Sequence, residues 1–83
     1  MEGLEIAFSR EAARQYRRLP QDYKRLIDIA LSRLSEGSGP DIKPVEGKAD
    51  VYRIRVGRYR VLFTKLKIAV IIIRISTRGD AYK

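Results

Sequence analysis

The chain has 83 residues, 45% of them hydrophobic, with 18 Lys+Arg against 10 Asp+Glu and a formal net charge of +8. It has no Cys and no His, which excludes disulfides, thiolate chemistry, imidazole acid–base catalysis, Ser–His triads and the usual zinc sites. The charge is lopsided: residues 1–41 carry seven bases and seven acids, whereas residues 42–83 carry eleven bases and three acids.

This length predicts a single domain over residues 1–83. The longest apolar run is Ile68 to Ile73, six residues, far short of the roughly 20 needed to span a bilayer. The N-terminus shows no basic region followed by an apolar run, so no signal peptide is expected. These features predict a cytoplasmic protein with no membrane partner. The basic half favours a polyanionic or acidic partner.

In chain order, Leu4, Ile6 and Phe8 alternate with Glu5 and Ala7 and predict a short strand. Ser9 suits a helix N-cap, with Glu11 in the first turn. Ala12, Ala13, Tyr16 and Leu19 recur at helical spacing, which predicts a helix over about 9–18, broken at Pro20. Pro20 can open a second helix. There Tyr23, Leu26, Ile27, Ala30, Leu31 and Leu34 form one apolar stripe, and Gly37 is the expected C-cap. Together the two segments predict a helix hairpin.

Residues 37–50 hold three Gly, two Pro and two Asp and predict a connector, with a short extended piece near Lys43 to Val45. The period then becomes two. Tyr52, Ile54 and Val56 alternate with Arg53 and Arg55. Gly57-Arg58 predicts a two-residue turn of type II′, after which Tyr59, Val61 and Phe63 alternate with Arg60, Leu62 and Thr64. Leu66-Lys67 is a second candidate turn. Ile68 to Ile75 is apolar on both sides, as in a central strand. The fold class is α+β: an N-terminal strand, a helix hairpin, then an antiparallel three-strand meander, forming one sheet with helices on one face.

That register divides the basic residues. A two-residue turn at Gly57-Arg58 sets Arg55 opposite Arg60, and Arg53 opposite Leu62. Tyr52, Ile54, Val56, Tyr59, Val61 and Phe63 then share one face, while Arg53, Arg55 and Arg60 share the other with Leu62, Ile71 and Ile73. A plain solvated face is the bland reading of such arginines. Like charges set opposite each other beside apolar surface suggest an anion site instead, and arginine suits phosphate because its planar fork bonds two oxygens at once. Tyr16, Tyr23, Tyr52, Tyr59 and Phe63 are expected to pack the sheet on the helices. Arg10, Arg14, Arg17, Arg18 and Arg25 read as solvated helix faces.

The segment Lys48-Ala49-Asp50-Val51-Tyr52-Arg53-Ile54-Arg55-Val56-Gly57-Arg58-Tyr59-Arg60-Val61 resembles the central hairpin of RelE-type toxins of the RelE/ParE superfamily, preceded by Val45-Glu46-Gly47 where the family has Leu-Glu-Gly. Arg78-Gly79-Asp80-Ala81-Tyr82 is similar to its closing Arg-x-x-x-Tyr pattern. The resemblance covers essentially the whole chain. It implies a toxin of a type II toxin–antitoxin system: a ribosome-dependent, metal-independent mRNA endoribonuclease in which a 2′-hydroxyl attacks the adjacent phosphate. No cofactor is implied. The implied catalytic set is Arg53 and Arg55 on the first strand of the hairpin, Arg60 as phosphate clamp, Arg78 as second Arg, and Tyr82.

Some members of the family carry Lys at the positions of Arg53 and Arg55. Arginine stays protonated and is a poor base, so Tyr82 becomes the candidate base, with base stacking as its other role. Glu46 stands where some members carry Arg. The resemblance also implies a cognate acidic antitoxin, the ribosome and mRNA as partners, with DNA reached only indirectly through the antitoxin. Two alternatives share the fold: a ParE-like inhibitor of DNA gyrase, and a non-catalytic RNA- or antitoxin-binding module.

Overall fold

Residues alternating between apolar and polar give strands with one dry side, and these pair so that the dry sides coincide. The computed structural model describes residues 4–36 and 42–77. Its strands are β1 (Glu5–Phe8), β2 (Lys43–Pro44), β3 (Val51–Val56), β4 (Tyr59–Lys65) and β5 (Ala69–Thr77), and its helices are α1 (Arg10–Arg17) and α2 (Gln21–Ser35). The five strands form one sheet in the order β1-β5-β4-β3-β2. β1 runs parallel to β5, and every other pair is antiparallel. The α+β class, the helix hairpin and the meander are those expected from the sequence. The extended piece near Lys43 forms the two-residue edge strand β2.

One face of the sheet is covered by the helices. Ala12, Leu19, Ile27, Leu31 and Leu34 pack against Ile54, Val56, Val61, Phe63, Val70, Ile72 and Ile75, with Tyr52 and Tyr59 at the margin. Fully burying a side chain the size of Ile or Phe contributes about 1.5–3 kcal/mol. This face therefore carries most of the hydrophobic stabilisation.

The hairpin of helices is closed by polar contacts. The Ser9 hydroxyl accepts from Ala12 N at 3.0 Å as N-cap of α1. Tyr16 packs on Phe8, with ring centroids 5.5 Å apart, and its hydroxyl donates to Asp28 Oδ1 of α2 at 2.6 Å. That hydrogen bond, helped by burial and by the carboxylate's charge, raises the Tyr16 phenol above its ordinary pKa of 10.0. Tyr16 is thus an interhelical strut rather than a plain core residue. Leu26, expected on the buried stripe, is 46% exposed, because Ile27, Leu31 and Leu34 already fill the contact with the sheet. The expected cap at Gly37 lies outside the described residues.

The β3–β4 register is the predicted one from Val56↔Tyr59 through Arg53↔Leu62. Gly57 has φ +60°, and Arg58 is not among the positive-φ residues, as a type II′ turn requires. A side chain at Gly57 would also meet Tyr23, whose Cε1 lies 2.9 Å from the position of a Cβ. The second turn falls one residue later than predicted. Leu66 N donates to Ala69 O at 2.7 Å, leaving Lys67-Ile68 at the corner. The Ile68 carbonyl accepts from Glu5 N at 3.0 Å, so pairing with β1 fixes where β5 begins. Ile68 itself is a surface residue. Among the described residues, no helix is long and apolar enough to cross a membrane.

Candidate functional site

The face of the sheet away from the helices holds the basic cluster. Register sets two rows of side chains across it. One row is Lys43 (β2), Arg53 (β3), Leu62 (β4) and Arg74 (β5). The next is Arg55 (β3), Arg60 (β4) and Ser76 (β5). Neighbouring strands lie about 4.7–4.9 Å apart, so each row is a short ladder of adjacent groups. Arg53, Arg55 and Arg60 share this face, as the sequence predicts. Arg78 and Tyr82 lie outside the described residues.

Alternation alone does not give the β5 members of these rows. Leu62 pairs with Arg74 but Phe63 pairs with Ile72, so Ile73 is an extra residue and β5 bulges there. Strict alternation would place Arg74 beside Val70 and Ile72 in the core, where an unpaired guanidinium is very costly. The bulge carries Arg74 and Ser76 to the basic face and turns Ile75 inward, opposite Val61, where it is 3% exposed. Bulges commonly re-aim side chains beside functional sites.

α1 holds the bulge in place. β1 stops at Phe8, so the rest of β5 would have a bare edge. Ser9 N donates to Ile72 O at 2.8 Å, and the Ser9 hydroxyl donates to Ile73 O at 2.8 Å. Further along, Gln15 Oε1 accepts from Ile75 N at 2.6 Å. Arg74 Nη2 donates to Glu11 Oε2 at 3.0 Å, closing the same seam. A row of backbone groups that would otherwise need water is satisfied by α1 side chains.

The floor of the basic face is apolar. Val45 and Leu62 are buried together, with Val51 and Ile73 packed beside them. Over this floor opens a cleft of about 430 Å³ lined by Pro44, Val45, Glu46, Arg53 and Arg60. A smaller hollow of about 160 Å³ is lined by Arg55, Gly57, Arg58 and Arg60. Arg60 borders both. Arg55 and Arg60 are directly opposed, and so are Lys43 and Arg53. Such like-charge pairs cost free energy unless an anion is held between them. The low-dielectric floor strengthens attraction for that anion.

Three residues of this site were not predicted from the sequence. Lys43 comes from the connector, whose register only the sheet reveals. Arg74 and Ser76 arrive through the bulge. Among the described residues, Glu46 is the only acidic group lining the arginine cleft. The arrangement is chemically suited to hold an anion and to stabilise charge that builds up on a phosphate. Its arginines cannot accept a proton. Among the described residues, no group of three or more His, Cys, Asp or Glu is placed to hold a metal ion.

Comparisons with known proteins agree with this geometry. The family model for the ParE toxin of type II toxin–antitoxin systems (parDE) matches residues 6–82. A protein of Methanocaldococcus jannaschii named as a candidate toxin, RelE1, is 36% identical over 63 residues, covering 74% of this chain and 70% of its own. The RelBE2 toxin–antitoxin complex of Mycobacterium tuberculosis contains a chain that superposes with a TM-score of 0.77 at 25% identity, over 92% of this chain and 99% of that one. The RelE–RelB complex of Pyrococcus horikoshii OT3 gives a TM-score of 0.79 at 23% identity, over 95% and 99%. The sheet order, the helix hairpin and the match over nearly the whole chain lead to one conclusion: the chain belongs to the RelE/ParE family of type II toxin–antitoxin toxins.

Proposed function

We propose that this toxin is an mRNA endoribonuclease that works on the ribosome, in the cytoplasm, without a metal ion. The observation that carries the reading is the pair of rows in which Arg53, Arg55 and Arg60 converge over an apolar floor. In the reaction the 2′-oxygen forms a bond to the adjacent phosphorus while the P–O5′ bond breaks. The products are a 2′,3′-cyclic phosphate and a free 5′-hydroxyl. Negative charge grows on the phosphorane, and preorganised guanidiniums stabilise that charge more than the ground state. Arg60 clamps the phosphate between the two hollows. Arg53 and Arg55 flank it, and Arg78 supplies a further guanidinium. Since arginine cannot take the 2′-hydroxyl proton, Tyr82 is assigned as the base, and the proton it takes is returned to the departing 5′-oxygen.

The ribosome positions the mRNA, and an antitoxin with an acidic segment covers the basic face when the toxin is held inactive. Contact with DNA then runs through that antitoxin. The test is to incubate the antitoxin-free chain with programmed ribosomes and map the mRNA ends. Cuts within the decoding site are expected, and intact mRNA overturns the reading.

The matched family model carries the ParE name, and a ParE-like inhibitor of DNA gyrase is the second reading. A supercoiling assay separates the two: gyrase arrest with intact ribosome-bound mRNA selects the second. RNA binding with neither effect would leave a non-catalytic module of the same fold.

A further inference from the structure

The bulge delivers one group that the core fold does not use. Ser76 stands directly across from Arg60 on β4 and continues the row begun by Arg55. Its hydroxyl oxygen is buried and finds no hydrogen-bond partner among the described residues. A buried hydroxyl without a partner costs about 1–3 kcal/mol, and native structures tolerate few of them. An alanine here would avoid that cost. The side chain nevertheless lies beside a guanidinium, on the face where an anion is to be held, and it is there only because β5 bulges at Ile73.

We propose that Ser76 is a further phosphate contact. Its hydroxyl donates a hydrogen bond to a non-bridging oxygen of the RNA phosphate gripped by Arg60. In the free chain the oxygen is shielded, and the phosphate held by Arg60 brings it the acceptor it lacks. The hydroxyl is the right group for this place. It donates to phosphate without adding a third cation to a row that already sets Arg55 against Arg60. The α1 seam then has a functional consequence, because the Gln15 contact to Ile75 N lies next to Ser76 in the chain and holds that stretch of strand in register.

The assignment rests on the nuclease reading for its substrate but on the register for its geometry, and one set of measurements separates them. A 2′-O-methyl RNA oligonucleotide, which cannot be cleaved, is titrated against the wild-type chain, Ser76→Ala and Ser76→Thr at fixed salt. The same proteins are assayed for cleavage on programmed ribosomes and for thermal unfolding. Ser76→Ala is expected to bind the oligonucleotide about tenfold more weakly, the size of one charge-assisted hydrogen bond. Its unfolding temperature should stay the same or rise, because an unsatisfied buried hydroxyl has been removed. Ser76→Thr, which keeps the hydroxyl, should recover most of the affinity.

Equal affinity of wild type and Ser76→Ala overturns the assignment. So does a loss matched by a fall in unfolding temperature and not recovered by threonine. Should the wild type bind in a Ser76-dependent way yet leave mRNA intact, the nuclease reading fails and the phosphate contact stands. Should it cleave while Ser76→Ala binds and cleaves equally well, the contact fails and the nuclease stands. A wild-type chain with no affinity for the oligonucleotide overturns the phosphate contact, and cleavage on programmed ribosomes then decides the nuclease reading by itself.

Discussion

The two faces of the sheet are made from the same strands by alternate residues, yet they obey opposite rules. On the helix side, Phe63, Val61, Val70, Ile72 and Ile27 are fully buried, and among the described residues no buried polar or charged residue joins them. On the other side, β3 and β4 set guanidiniums opposite one another over a small apolar patch of Val45 and Leu62. The first arrangement lowers the free energy of the folded chain. The second sets like charges face to face, which opposes folding wherever counter-charges do not offset it. The lesson is a division of labour: substitutions on one side should change folding, and those on the other should change anion binding.

The strongest test of that division is Phe63→Ala. It removes the largest fully buried side chain, at a cost of about 3–5 kcal/mol. For a domain of this size that lowers Tm by roughly 15–30 °C, readable by circular dichroism. A small shift would mean the core does not carry the stability assigned to it.

Arg60→Ala addresses the other face. Its removal from the border of both hollows should reduce mRNA cleavage about a hundredfold or more, with the chain still folded. Unfolding of this variant would erase the distinction between the faces.

Gln15→Ala lies between the two classes. It deprives Ile75 N of its acceptor and should cost about 1–3 kcal/mol. It should also loosen Ser76, weakening RNA binding more than its loss of stability explains. Hydrogen exchange at the Ile75 amide reports the seam directly, and unchanged protection there contradicts the role given to Gln15.

The smallest effect is expected at Tyr16. The folded chain holds this phenol above its ordinary pKa, so it favours the protonated form relative to the unfolded chain. The contribution is complete below about pH 10 and fades as pH rises through the higher folded value. Tyr16→Phe should cost under about 1 kcal/mol at neutral pH, and should flatten the loss of stability above pH 10. Denaturant melts at neutral and alkaline pH measure both, and parallel curves for the two proteins would remove the strut.

Much of this molecule is readable along the chain. Gly57 at a hairpin corner, with Tyr52, Ile54 and Val56 before it and Tyr59, Val61 and Phe63 after it, permits one register in which both apolar sets meet. A slip by one residue would put every arginine in the core. The central strands and the Arg53, Arg55 and Arg60 face therefore follow from local spacing. The helix hairpin follows from Ser9, Pro20 and the 3.6-residue stripe, although the stripe overstates the burial of Leu26.

Where prediction fails, the deciding contact is distant in sequence. Lys43 joins the basic face through pairing with Arg53, across a connector whose length does not fix its register. The turn after β4 shifts because Glu5, more than sixty residues earlier, bonds to the Ile68 carbonyl. The bulge at Ile73 is stabilised by Ser9 and Gln15 at similar separations.

The sequence by itself determined the charge asymmetry, the fold class, the family and the three-arginine face. The charge asymmetry is a matter of composition and the family of motif resemblance, whereas the fold class and the arginine face rest on periodicity and turn chemistry within a few residues. Only the tertiary structure decided the breadth of the site. Lys43 reaches it through pairing with Arg53; Arg74 and Ser76 reach it, and Ile75 leaves it, because the bare edge of β5 must satisfy its backbone groups and does so against α1. That requirement belongs to the assembled sheet, and no local pattern in β5 announces it.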